Sequence, residues 1–347
     1  MADKLLFASD YQEGAHEAIL NAFVSTQMEQ NPGYGTDKYS ASAAEKIKKA
    51  CNAPDAQVTF ITGGTQTNQL VIDACLQPYE GVVSAATGHV AVHEAGAIEF
   101  TGHKVLEVPQ VNGKIEAETL RKYLATFYAD ANHDHMVFPG MVYISHPTEV
   151  GTLYTKTELE ALHDICTKYE IPLYMDGARM AYGLMSSETD VDLPTIARNC
   201  DVFYIGGTKQ GALMGEAVVI RNEALKKDFR YMIKQRGGMF AKGRLLGIQF
   251  LELFRDGAYF KLAEHADRLA DDIRKAFEDK GYSFLVQSGT NQIFVIVPND
   301  AMEKLNKKYV SSNNGPYDEK HTVLRFCTSW ATNPADVEEL IEDIKAL

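Results

Sequence analysis

Nowhere in this sequence does an apolar run approach the ~18 residues that a membrane-spanning helix needs. The opening stretch, MADKLLFASDYQEG, holds too short an apolar segment for a secretory signal. Cysteine is sparse: Cys51, Cys75, Cys166, Cys200 and Cys327 stand apart with no C-x-x-C spacing, which suggests neither a disulfide framework nor a zinc site. They read as core thiols in a reducing compartment. Basic residues are outnumbered, 34 Lys and Arg against 47 Asp and Glu, and no basic run offsets the net charge of -13, which disfavours an electrostatic nucleic-acid binder. Internal repeats and low-complexity linkers are missing as well. These absences lead to the expectation of a soluble, cytoplasmic protein with no membrane, nucleic-acid or metal partner.

What is present is an ordinary globular composition, 45% hydrophobic over 347 residues, enough for a large core and two domains. From about residue 40 to 235, helix-like stretches separate short apolar runs such as QVTFIT, MVFPGMVYIS, EIPLYMD, DVFYIGG and EAVVI. That alternation argues for βαβ units and a largely parallel, doubly wound sheet. Between residues 154 and 170, Leu159, Leu162, Ile165, Cys166 and Tyr169 share a helical face, and Thr155 and Glu158 have capping-box spacing before it. Further on, Leu262, Ala266, Leu269, Ile273 and Phe277 mark a long amphipathic helix, followed by strand-like NQIFVIVP and HTVLRFC. A last helix has Asn333 at its N-cap and Pro334 at its first position. The expected division is an N-terminal segment (1–30), a large domain (31–249) and a smaller α+β C-terminal domain (250–347).

Three polar motifs fall where strands of an open parallel sheet should end, the usual place for a ligand. GGTQTN offers Gly63, Gly64 and Thr65 at a helix start, suited to an anion. YMDGAR carries Asp176 and Arg179; GGTK carries Lys209. Singly, each has a plainer account: a turn, an Asp176–Arg179 ion pair, a lysine that snorkels to solvent. Together they are the parts that pyridoxal 5'-phosphate requires, with donors for a phosphate, a carboxylate for the pyridine nitrogen and an amine for the aldehyde.

The successive stretches FASD, NPGYGTD, GGTQTN, GHVAVHEAGAIEFTGHKV, YMDGAR, GGTKQGALMGE and VLRFCT resemble the motifs of the L-threonine aldolase and β-eliminating lyase family, pyridoxal-phosphate enzymes of fold type I. The resemblance implies an amino-acid substrate and a homodimer or homotetramer whose sites are shared between subunits, with NPGYGTD reaching a neighbour's site. It makes Lys209 the Schiff-base lysine and Asp176 the partner of the pyridine nitrogen. Gly64, Thr65 and Thr208 match phosphate contacts, and His89 matches a histidine on the cofactor ring. Ser9, Arg179 and Arg325 match groups that hold the substrate carboxylate, with Arg179 also beside the cofactor. Two departures stand out. HPTEV replaces a stretch with a second histidine and sets Glu149 opposite it, leaving the base to His89 or Glu149. RGGMFAKG puts Phe240 where an arginine reaches the phosphate, with Lys242 or Arg236 as substitutes. The expected reaction is low-specificity cleavage of β-hydroxy-α-amino acids to glycine and an aldehyde. The alternatives are β-elimination releasing ammonia and a keto acid, or a non-catalytic binding protein on the same fold.

Overall fold

The computed structural model describes residues 4–347, so the first three residues of the expected N-terminal segment lie outside the described residues. The central sheet has seven strands: β1 (Gln57–Ile61), β2 (Glu80–Ala85), β3 (Lys104–Val108), β4 (Phe138–Ser145), β5 (Leu173–Asp176), β6 (Val202–Gly206) and β7 (Glu216–Ile220). Their order in space is β1-β7-β6-β5-β4-β2-β3. Every neighbouring pair is parallel except those of β7, which runs antiparallel to both β1 and β6. Side chains alternate between two cores: Phe203 and Ile205 of β6 enter one, Val202 and Tyr204 the other. On β4, Val142 and Ile144 face the first core, Met141 and Tyr143 the second. Burial on both faces is why these strands read as near-continuous apolar runs.

Two helices, α1 (Glu17–Thr26) and α2 (Lys38–Ala50), precede the sheet. Within it, α3 (Gly64–Cys75) follows β1, α4 (His89–Val92) follows β2, α5 (Lys156–Lys168) follows β4 and α6 (Met180–Met185) follows β5. The capping box of α5 forms as its spacing predicts, and Leu159, Leu162 and Cys166 are buried. At the foot of β5 and β6 the backbones touch: a Cβ on Gly177 would lie 2.0 Å from the Tyr204 carbonyl oxygen. Only glycine permits that approach.

After β7, α7 (Arg244–Leu253) runs through the expected boundary at 249/250 and leads into α8 (Ala258–Asp279), which packs against α6. Then come β8 (Ser283–Phe284), β9 (Gln292–Pro298), β10 (Ser312–Pro316), β11 (His321–Cys327) and α9 (Pro334–Ala346). These strands form a four-stranded antiparallel sheet ordered β10-β11-β9-β8. Asn333 caps α9, and its inward Val337, Leu340 and Ile344 join Ile273, Phe277 and Val295 in a third core. The N-terminal segment threads into this unit: Leu5–Leu6 pairs with Tyr309–Val310, Phe7 is buried, and its carbonyl accepts from Cys327 N–H at 2.8 Å. Ser9, Asp10 and Tyr11 are thereby carried to the sheet's edge. Among the described residues no helix is long and apolar enough to cross a membrane, no cluster of His, Cys, Asp and Glu could hold a metal, and all five cysteines are free.

Candidate active site

The C-terminal ends of β1, β2, β4, β5 and β6 and the start of the antiparallel β7 meet at one edge of the sheet. There they enclose a cavity of about 300 Å³. Gly64, Thr65, His89, Glu149, Asp176, Arg179, Thr208 and Lys209 all line it; Ser9 and Arg325 do not.

Asp176 closes β5 and is a convergence point for donors. Tyr204 O–H and Ala178 N–H reach Oδ1, and Tyr143 O–H at 2.7 Å and Asn68 Nδ2 at 3.1 Å reach Oδ2. Four donors on one side chain suit an acceptor-only carboxylate. Tyr143 and Tyr204 sit on the same sheet face, and burial raises both phenols well above their usual range, so they remain donors. The Asp176–Arg179 pair open from sequence does not form. Arg179 closes its fork on Asp10, Nε to Oδ2 at 2.7 Å and Nη2 to Oδ1 at 3.0 Å, with Asn291 Nδ2 donating to Oδ2 at 2.9 Å. Burial would raise the Asp10 carboxyl, but the Arg179 and Lys209 charges and these hydrogen bonds outweigh it and hold it at about 2.

Lys209, by contrast, has no carboxylate partner among the described residues. Its amine lies 5.9 Å from the centroid of the Tyr11 ring at the cavity mouth. Beside it, Glu216 at the start of β7 is buried, and Thr208 O–H and Gly207 N–H point at its two oxygens at 2.9 and 3.1 Å. Burial pushes this carboxyl up to about 8, despite those hydrogen bonds and the nearby Lys209. When protonated, Glu216 Oε1 can donate to Thr208 Oγ1, which frees the Thr208 proton for an anion in the cavity.

That shift has a consequence for stability. The folded chain keeps the Glu216 proton where unfolded glutamate has lost it, so this group lowers stability as pH rises from 4.5 towards about 8. Glu216→Gln should remove that loss. In thermal or urea unfolding of cofactor-free protein, the variant should gain roughly 3–4 kcal/mol over wild type between pH 5 and pH 8.5. An unchanged difference across that range would mean that Glu216 is ionised in the folded chain.

His89, at the start of α4, sets Nδ1 2.7 Å from Glu94 Oε1. Burial disfavours its charged form, but the hydrogen bond to Glu94 and the charges of Glu149 and Asp176 outweigh that and raise its pKa. Glu149 faces the same cavity, with Ser145 O–H donating to Oε1 at 2.7 Å. His146, in the same HPTEV stretch, is buried outside it, and desolvation lowers its pKa to about 4.

Ser9 Oγ and Arg325 Nε are buried with no hydrogen-bond partner, while Arg325 Nη2 donates to Ala8 O at 2.9 Å and Ser312 Oγ at 3.0 Å. Of the substitutes for the missing arginine, Arg236 is committed to Asp73, and Lys242 is exposed. Phe240 lies in a separate cleft beside Tyr34 and Ser40.

These residues fit pyridoxal phosphate. The α3 N-terminus has no side-chain cap, and Thr62 Oγ1 beside it is buried without a partner, which leaves donors for a phosphate. An amine without an ion pair and a carboxylate complete the set. Sequence reasoning missed Asn68, Glu94, Asp10, Glu216 and the tyrosines. Asp10 and Glu94 lay inside the quoted FASD and HEAGA stretches; the tyrosines recur at alternating strand positions facing Asp176.

Comparison with known proteins extends the geometry. The Beta-eliminating lyase family matches residues 7–299. A low specificity L-threonine aldolase of Pseudomonas sp. (strain NCIMB 10558) is 32% identical, covering 98% of this chain and 97% of that one. Its counterpart in Pseudomonas aeruginosa is 30% identical, over 98% of this chain and 96% of the relative. The structure of Leishmania major threonine aldolase superposes with a TM-score of 0.95 at 41% identity, covering 99% of each chain. An aspartate aminotransferase of Thermus thermophilus, 16% identical with a TM-score of 0.72 over 99% of this chain and 91% of that one, shares the fold alone.

Proposed function

The chain belongs to the Beta-eliminating lyase family, and from that premise we infer that it is a pyridoxal-phosphate-dependent, low-specificity L-threonine aldolase of fold type I. It cleaves β-hydroxy-α-amino acids to glycine and an aldehyde. The observation that carries this reading is the convergence in one cavity of an unpaired Lys209, the four-donor Asp176 and two proton acceptors, His89 and Glu149. Alongside it stands similarity to threonine aldolases over nearly the whole chain.

Bound here, pyridoxal phosphate supplies an electron sink for the pair released when a bond to the substrate Cα breaks. Lys209 Nζ would hold the cofactor aldehyde, and Asp176 would keep a proton on the pyridine nitrogen. Backbone N–H groups of Gly64 and Thr65 and the Thr208 hydroxyl would hold the phosphate. For the substrate carboxylate, the unpartnered Arg325 Nε and Ser9 Oγ support a clamp, since a guanidinium suits a planar anion. Arg179 lines the same cavity with its Nε and Nη2 already held by Asp10. With the carboxylate fixed, the Cα–Cβ bond can be set for cleavage while His89 or Glu149 takes the β-hydroxyl proton. A proton returned to Cα then completes glycine.

The active unit is a homodimer or a tetramer built from dimers. Exposed Val24 of α1, Leu213 and Leu245 line one largely apolar cleft, and Met28, Tyr34 of NPGYGTD and Phe240 are exposed as well. Such a surface suits a second copy of the chain. Threonine incubated with the purified protein, its assembly state read by sedimentation, should yield glycine and acetaldehyde in equal amounts from a dimer or larger. 2-Oxobutyrate and ammonia without aldehyde would replace the aldolase with an eliminating lyase, and a fully active monomer would end the shared-site proposal.

A further inference from the structure

One buried carboxylate behind the cavity wall, in contact with His89 and Asn68, has no part in that scheme. Glu94 is 6% exposed, and its Oε1 lies 2.7 Å from His89 Nδ1 and 2.6 Å from Asn68 Nδ2. The orientation of Asn68 is settled by its other end, where Oδ1 accepts from Tyr174 O–H at 2.7 Å. The amide nitrogen therefore points at carboxylates on both sides, Glu94 Oε1 and, at 3.1 Å, Asp176 Oδ2. Glu94 Oε1 accepts one hydrogen from Asn68, so a proton held by Glu94 would sit on the other oxygen, Oε2, which is buried with no partner. His89 Nδ1 meets Oε1 as a donor. Nε2 is then the nitrogen left for the cavity, an acceptor whenever the ring is neutral.

We propose that Glu94 is a positioning residue for the cleavage: it holds His89 in the Nδ1–H form, presents Nε2 to the substrate hydroxyl, and steadies the imidazolium that results. The β-hydroxyl O–H breaks and its proton passes to Nε2. The O–H pair becomes the second bond of the aldehyde carbonyl, and the Cα–Cβ pair stays with Cα. Later the same proton, or one exchanged with solvent, returns to make glycine. The groups facing His89 are Glu94 and the His93 ring, 5.7 Å away, from its own segment, Glu149 from the loop after β4, and Asp176 from β5. Of these Glu94 alone hydrogen-bonds the ring. Through Asn68 the arrangement also joins the base to Asp176, so both ends of the reaction share one buried network.

The proposal rests on the aldolase reading for its chemistry, and its test has a readout independent of turnover. Protein labelled with 15N-histidine, with and without cofactor, is followed by NMR over pH, the His89 signals being identified by their loss in His89→Asn. Wild type should show a protonated Nδ1 and a bare Nε2 in the neutral ring. Glu94→Gln keeps an oxygen for Nδ1–H but removes the charge, so the His89 midpoint should fall by about one pH unit. The acid limb of kcat for threonine should move with it, and kcat should fall about tenfold or more while KM changes little. A wild-type ring protonated on Nε2, or a His89 midpoint unmoved in Glu94→Gln, overturns the proposal. Should the variant not fold, the wild-type tautomer decides alone. If wild type makes no aldehyde, the aldolase reading fails, while the NMR result still decides whether Glu94 orients His89.

Discussion

Lys209→Ala is expected to lose threonine cleavage by about 10³-fold or more, a change of at least ~4 kcal/mol in activation free energy, while remaining folded. The amine occupies the cavity with no carboxylate to neutralise it, a costly arrangement unless the group is used. Removing it deletes no hydrogen bond of the fold, since the contact from Tyr182 O–H is to the Lys209 carbonyl, at 2.6 Å, and survives the substitution. Thermal stability of the cofactor-free variant should therefore stay near wild type. Borohydride reduction followed by peptide mapping gives the decisive comparison. Wild type should carry the reduced cofactor on the peptide containing Lys209, and the variant should carry none. Label on any other lysine, or turnover retained in Lys209→Ala, would remove this residue from the centre of the site.

Lys209 and Asp176 were legible in the sequence because each follows a short apolar strand, and a parallel sheet sends all such ends to one edge. The phosphate cradle was legible for the same reason, as Gly63 and Gly64 stand between a strand and a helix. The partner of Arg179 was not. Sequence placed it beside Asp176, three positions away in the chain, whereas Asp10 reaches it only because residues 5–7 join the C-terminal unit. Contacts of that kind depend on tertiary closure, which no local pattern encodes. The tyrosines around Asp176 were hidden differently. In strands buried on both faces an aromatic residue reads as core, and only the register, which sets Tyr143 opposite Tyr174, brings these side chains together on one face. Glu94 was passed over because a carboxylate five residues after a histidine reads as a solvated charge until the short α4 folds it inward.

The same tyrosine shell makes Asp176 the other position of large expected effect, and it separates two ways of losing activity. Asp176→Ala leaves Tyr143 O–H, Tyr204 O–H, Asn68 Nδ2 and Ala178 N–H facing a small void. Each buried donor without a partner costs roughly 1–3 kcal/mol, so the alanine variant should be markedly destabilised even before cofactor is added. Asp176→Asn keeps the volume and one acceptor oxygen, but turns an amide towards donors and carries no charge for a pyridine-nitrogen proton. Its folding loss should be the smaller of the two. Its catalytic loss should still be on the order of 10²-fold to 10³-fold, because the electron sink depends on that proton and removing one preorganised electrostatic partner has effects of this size. Unfolding curves of the cofactor-free proteins measure the first effect, and kcat for threonine at saturating cofactor measures the second. A folded Asp176→Asn variant with near wild-type turnover would make Asp176 an anchor for the tyrosine shell and nothing more. Loss of turnover in both variants, with stability falling chiefly in the alanine one, would separate the carboxylate's charge from its place in the core.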